Sequence, residues 1–350
     1  MTLSAGYYIA VSRVAGIALA VASFYHPPAF SQNSALVDRL QNAKVDTSLD
    51  QQGLLPWHLK LEIQFYDSKG KPAEKGSVEE WWAGPKQRLI SYSLPDYTGK
   101  FLENSDGKFR SKDPGSPENL ARILLDQVVH PMPDEEELKQ TTPDMRKESF
   151  GKISLDCIML THPIKGVAYL PLGLYPTYCF DPGKDSLRAS YSLGSMAVVR
   201  NAMGRFQGHS IPIDVTIDEG PVPSASAHIA ELKGMHVNPA QFEPTPDLEP
   251  VRDAAHVEAV VMAGKNVKKV QPIYPAAARQ RRAEGSVILH AIIGRDGRIQ
   301  SLKILSTPDA DLGLSALAAV QQWVYSPYLL NNRPVEVDTT ITVNYKIGPG

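Results

Sequence analysis

From Val335 to Ile347 the chain alternates without a break. Val335, Val337, Thr339, Ile341, Val343, Tyr345 and Ile347 share one parity; Glu336, Asp338, Thr340, Thr342, Asn344 and Lys346 share the other. Successive side chains of a strand point to opposite faces, so the pattern specifies a strand with one buried and one wet face. Strands of that kind belong to antiparallel sheets. A closing strand of this sort is also a candidate sheet edge, open to a partner peptide that adds as a further strand.

The residues before it complete a ββαβ module that starts near Gln271. Pro272 and Pro275 bias Gln271 and Tyr274 away from helical geometry, so Val270–Pro275 is extended. Ala276–Arg282 is predicted as a short helix. Ser286–Ile293 follows as a strand with Val287, Leu289, Ala291 and Ile293 on one face, and Asp296-Gly297 is a strong hairpin signal before Arg298–Ser306 returns antiparallel. Asp309 or Asp311 can cap a helix on which Leu314, Leu317, Val320 and Val324 recur every three or four residues. A turn at Asn331–Pro334 leads into the closing strand.

A chain of 350 residues with 43% hydrophobic and 21% charged content is globular, with about two domains by length. The net charge of −2 conceals an asymmetry: 11 Lys/Arg against 6 Asp/Glu from Lys265 to Gly350 leave that segment at +5 and the remainder at −7. A basic C-terminal module suits an acidic partner. Between it and the preceding domain, residues 236–256 form a Pro-rich linker, with Pro239, Pro244, Pro246 and Pro250 among Glu243, Asp247 and Glu249.

At the other end, residues 1–31 are expected to be an export signal. Arg13 precedes an apolar run from Val14 to Phe24, and Ala29-Phe30-Ser31 offers small residues before a cut at Gln32. The alternative is an uncleaved anchor from Tyr7 to Tyr25, which would place Arg13 near the bilayer middle at about +2.5 to +3.5 kcal/mol. Either way the expected location is the periplasm or cell envelope, with attachment to the inner membrane if the segment is retained. In an exported chain with two cysteines, each in an apolar strand-like run, Cys157 and Cys179 are expected to form one disulfide; reduced, buried thiols are the alternative.

The fold class expected is α+β, with a mainly antiparallel β domain over 50–235 ahead of the small ββαβ module at 257–350. Leu59–Tyr66 alternates and runs into a turn at Asp67-Ser68-Lys69-Gly70. Further strands are predicted at 77–82, 87–93, 153–160, 187–191, 198–206, 211–218 and 228–232, giving a sheet of seven or eight. Pro117–His130 carries Leu120, Ile123, Leu124, Gln127 and Val128 at helical spacing, so one or two helices lie on the sheet. Asp134–Glu137 is the acidic first turn of a helix rather than a metal cluster. This strand series with a helical insertion and a late disulfide resembles the curved, incomplete barrel of LolA-like periplasmic lipoprotein carriers. That resemblance implies a concave face lined by Trp57, Trp81, Trp82 and Tyr92, able to shelter a lipid or peptide.

The C-terminal motifs are more specific. Tyr274-Pro275, Ala278, Glu284-Gly285-x-Val287, Asp296-Gly297-x-Ile299, Leu305-Ser306, Leu317-x-x-Val320, Trp323-x-Tyr325-x-Pro327 and Pro334 before the alternating strand resemble, in order and spacing, the TonB C-terminal domain. The resemblance covers about eighty residues and implies a module that binds the TonB box of an outer-membrane transporter by β-augmentation, in energy-dependent transmembrane transport. On the strand side it nominates Val337, Thr339, Ile341 and Val343, and in the Gln-Pro-x-Tyr-Pro stretch it nominates Gln271, Pro272, Tyr274 and Pro275. It also implies an ExbB–ExbD motor at the inner membrane. The Ser and His one helical turn apart that an anchor carries for that motor are not found: His26 lies beyond the apolar run and Ala22 stands four before it.

Nine scattered histidines form no HExxH, and the chain holds no Walker loop, no GxGxxG after a strand and no GxSxG. No enzyme activity, cofactor, metal or nucleic-acid partner is expected. Two functional classes remain: a TonB-like adaptor gripping a receptor peptide, and a periplasmic lipid or lipoprotein carrier or sensor docked through its C-terminal module.

Overall fold

The computed structural model describes residues 29–347, apart from 113–114, 116, 118, 151, 163–169, 195 and 220–221. The expected leader therefore lies outside the described residues, except where 29–31 enter the first turn of α1 (Ala29–Thr47).

Among the described residues thirteen strands build one antiparallel sheet. They are β1 Trp57–Tyr66, β2 Pro72–Gly84, β3 Gln87–Leu94, β4 Tyr97–Asn104, β5 Gly107–Ser111, β6 Thr142–Phe150, β7 Ile153–Thr161, β8 Thr177–Phe180, β9 Leu187–Leu193, β10 Met196–Phe206, β11 His209–Glu219, β12 Val222–Gly234 and β13 Leu248–Pro250. Their spatial order is β13-β5-β4-β3-β2-β1-β12-β11-β10-β9-β8-β7-β6, so β1 and β12 sit at the centre as chain-distant neighbours. The expected seven or eight strands are present and five more join them. Pro212 is tolerated inside β11 because its register with β10 is irregular there, opposite Met203.

The helix predicted at 117–130 is α2 (Asn119–Val129), and its Leu124, Leu125 and Val128 pack on Trp57, Leu61, Val78 and Trp82. Trp57, Trp82 and Tyr92, expected to line a shelter, are thus core side chains; Trp57 and Trp82 stack with ring centres 5.8 Å apart. Trp81 points to the opposite face, where it stacks on His58. Asp134 caps α3 (Glu135–Gln140) by accepting from the Glu137 N–H at 2.7 Å, the acidic helix start read from the sequence. Helix α1 seals the far end of the sheet with Leu40 and Ala43 against Ile158, Tyr178 and Phe180, so this domain begins before residue 50. Cys157 and Cys179 lie opposite each other on β7 and β8 and are joined in the expected disulfide.

The Pro-rich stretch is not a free spacer. Phe242 in a short 3-10 turn and Leu248 on β13 pack against Leu102 on the back of the sheet, and β13 pairs with β5. Proline removes ladder donors but still permits an edge strand, which is where β13 lies.

The C-terminal module adds β14 Ala255–His256, α4 Ala259–Ala263, β15 Asn266–Lys268, α5 Ala276–Gln280, β16 Gly285–Ile293, β17 Ile299–Ser306, α6 Ala310–Val320, β18 Val324–Tyr325, β19 Tyr328–Leu330, β20 Arg333–Val335 and β21 Val337–Tyr345. Its main sheet has the order β14-β21-β16-β17. The ββαβ arrangement is β16, β17, α6 and β21, with Leu312, Ala316 and Leu317 of α6 buried on Val287, Leu289, Ile341 and Val343. Asp309 caps α6, accepting from the N–H groups of Asp311 and Leu312. The helix stops at Val320; Val324, expected on its face, instead pairs with Lys268 in β18. Gly297 sits at φ +80° where a Cβ would come within 1.7 Å of the Tyr325 carbonyl oxygen, so only glycine fits that hairpin.

The two domains meet through charged and polar contacts around β17 and the β16–β17 turn. Arg295 donates to Glu249 at 2.6 Å and to the Ser111 carbonyl at 3.1 Å, Arg122 donates to Gln300 Oε1 at 2.6 Å, and Arg110 pairs with Glu336. Leu174 and Tyr175 extend the module's apolar core from the β domain. The β17 side of the small sheet is therefore occupied by the larger domain, while the β21 side carries β14 at its start, where Arg110 of the larger domain reaches Glu336.

Candidate peptide-binding edge

Strand β21 is not open along its whole length. Its first residues pair in parallel with β14, where Ala255 N–H donates to the Glu336 carbonyl at 2.7 Å and Val257 N–H to the Asp338 carbonyl at 2.9 Å. Thr339 Oγ1 adds a bond to the Val257 carbonyl at 2.6 Å. Beyond Asp338, no strand among the described residues covers that side.

The same bonds fix which backbone groups face outward. N–H and C=O of one residue point to the same side of a strand and alternate along it. Because Glu336 and Asp338 serve β14, and β21 runs in unbroken register with β16 from Val337 to Tyr345, the groups of Thr340, Thr342 and Asn344 face the open side. Val337, Thr339, Ile341 and Val343, the strand residues nominated from the sequence, have buried side chains, and their backbone faces β16. The outward-facing backbone groups belong to the intervening residues.

A groove of about 270 Å³ runs beside this edge, lined by Val260 and Met262 of α4, by Lys269, Trp323 and Tyr325, and by Thr340–Thr342. Val260 is 79% exposed, so the outer wall is an apolar surface ready for contact. Lys269 Nζ sits 4.7 Å from the Trp323 ring centre, and Trp323 Nε1 donates to the Val270 carbonyl at 2.8 Å. Burial pushes the Tyr325 phenol up to about 12, which keeps it neutral.

The Trp323 bond anchors the start of the Gln-Pro-x-Tyr-Pro stretch. From there Ser315 Oγ holds the Ile273 carbonyl and Tyr274 packs edge to face on Tyr345, with ring centres 5.5 Å apart. Arg279 lies over the Tyr274 ring, whose hydroxyl donates to the Ala283 carbonyl. Tyr274 thus reaches the far end of β21, while Gln271 is exposed and Pro272 and Pro275 are half-buried. The two nominated sets therefore meet at Tyr345, but they are not interleaved in one pocket. Arg281, just past α5, holds Asp309 at 2.8 Å and so braces the cap of α6.

Residues 270–347 match the family model described as Gram-negative bacterial TonB protein C-terminal. This segment is similar to TonB. The TonB of Vibrio cholerae is 31% identical over 111 residues, covering 29% of this chain and 46% of that protein. The TonB of Klebsiella pneumoniae is 33% identical over 82 residues, covering 23% and 32%. The chain thus spans less than half the length of either TonB relative. Among solved structures, a LolA superfamily protein from Nitrosomonas europaea has 10% identity and a TM-score of 0.40, over 59% of this chain and 97% of that one. A putative outer membrane lipoprotein-sorting protein domain from Vibrio parahaemolyticus has 7% identity and a TM-score of 0.34, over 59% and 95%. Among the described residues, no helix is long and apolar enough to cross a membrane.

Proposed function

We propose that the C-terminal module acts in the cell envelope as a TonB-like adaptor, taking an extended segment of an outer-membrane transporter, its TonB box, as an added strand in energy-dependent transport. The observation that carries this reading is the row of outward backbone groups at Thr340, Thr342 and Asn344 beside an apolar-walled groove, within a segment that matches the TonB C-terminal family. Main-chain hydrogen bonds to those three residues supply affinity, and contacts with Val260, Trp323 and Lys269 supply selectivity. Because β14 already occupies Glu336 and Asp338, the partner strand is held to the stretch beyond Asp338.

The test is hydrogen exchange on the full chain, with and without a peptide carrying a TonB-box sequence. Saturating peptide is expected to slow exchange at the amides of Thr340, Thr342 and Asn344. Binding that leaves these amides unprotected while protecting another surface would remove the edge from the reading.

A further inference from the structure

A second cleft lies where the large domain, the linker and the C-terminal module meet, on the far side of β14 from the open edge. Its volume is about 580 Å³, within the range of small-molecule sites. Among the described residues five cations line it, Arg110, Lys112, Arg252, Arg295 and Arg333, against three carboxylates, Glu249, Asp253 and Glu336, a balance of +2. Two of the carboxylates are committed: Glu249 to Arg295 at 2.6 Å and Glu336 to Arg110. Among the described residues Lys112, Arg252 and Arg333 enter no ion pair, and Arg110 Nε is buried without a hydrogen-bond acceptor. Burial, then the charge of Arg110, hold the Arg295 pKa below its ordinary value, against the opposing pull of Glu249 and Glu336. Leu248, Pro250, Pro334 and Val335 supply an apolar wall.

We propose that this cleft binds the phosphate group of a phosphomonoester. Such a group carries about −1.5 to −2 charge and three strong acceptor oxygens, matching the surplus of +2 and the three cations that hold no carboxylate. A lone carboxylate balances only half of that surplus. The volume beyond the phosphate, with its apolar wall, receives the organic body that bears it. The site is independent of the strand edge, and a peptide bound at Thr340–Asn344 does not enter it.

Two sources share this chemistry, a soluble phosphomonoester and a lipid headgroup, and two arms separate them. The full chain is titrated calorimetrically with glycerol phosphate at low salt, and sedimented with phosphatidylcholine vesicles with and without phosphatidic acid. The same measurements are made on R252Q/R333Q, whose replaced side chains are exposed and outside every core cluster. The expected result is saturable binding in one arm, weakened at least about tenfold in the double variant, as loss of charge-assisted bonds requires. Binding of glycerol phosphate identifies a soluble ligand; binding of phosphatidic acid vesicles alone identifies a headgroup. Absence of binding in both arms, or equal binding by the variant, overturns the proposal.

Discussion

The Val257 N–H donates to the Asp338 carbonyl at 2.9 Å, and this bond decides the parity of the whole closing strand. Even-numbered residues turn their backbone outward and odd-numbered ones turn it toward β16. Proline at Thr342 removes an N–H that serves no ladder among the described residues, whereas proline at Ile341 removes one that faces β16. Thr342→Pro is therefore expected to keep the native circular dichroism and unfolding midpoint while losing peptide binding. Ile341→Pro is expected to unfold the module. Retained peptide affinity in a folded Thr342→Pro protein would show that the partner binds elsewhere.

Trp323 joins the groove to the Gln-Pro-x-Tyr-Pro stretch through its bond to the Val270 carbonyl. Trp323→Phe keeps an aromatic ring but deletes the donor, at a cost of about 1 kcal/mol. Urea unfolding should report that loss, and hydrogen exchange should quicken at Gln271 and Ile273. If peptide affinity falls by more than the stability change accounts for, the stretch contributes to binding as well as to folding.

Much of the C-terminal module was legible because its local signals agree: alternating strands, an Asp-Gly turn and a capped helix point to one arrangement. The larger sheet was legible only where strands alternate. Strand β6, Thr-Pro-Asp-Met-Arg-Lys-Glu-Ser-Phe, is an edge strand and mostly solvent-facing, so it shows no apolar period. Strand β8 is four residues long and buried at every one, so it shows none either. At the candidate site, alternation disclosed which side chains are buried but not which backbone groups pair with β16. That assignment depends on β14, a two-residue strand within the Pro-rich stretch, whose partner is about eighty residues away.

The Cys157–Cys179 disulfide ties β7 to β8 across a sequence separation of 22 residues. In the chain-entropy picture a loop of that size is worth about 3 kcal/mol. Replacing both cysteines by alanine should lower the unfolding free energy of the large domain by about that amount and leave peptide binding at β21 unchanged. Urea titrations of both proteins, followed at equal peptide occupancy, separate the two effects.

Glu80 points from β2 into the core beneath α2, 1% exposed, with Oε1 buried and without a hydrogen-bond partner among the described residues. Burial raises its pKa from 4.5 to about 8; Arg88 opposes the shift, and Asp126 and Asp50 add to it. The native state therefore holds a proton that the unfolded chain has released once pH exceeds 4.5, so stability falls as pH rises from 4.5 to about 8 and is level beyond it. Each unit of that shift corresponds to about 1.4 kcal/mol, for a loss on the order of a few kcal/mol across the window. Glu80→Gln keeps the size and neutrality of the protonated acid and removes the titration. Urea unfolding should find the two proteins alike near the acidic end and the variant more stable at the alkaline end. Parallel stability curves across the window would mean that the ionised carboxylate is accommodated in the fold, and Glu80 would then lose its place as the source of alkaline sensitivity.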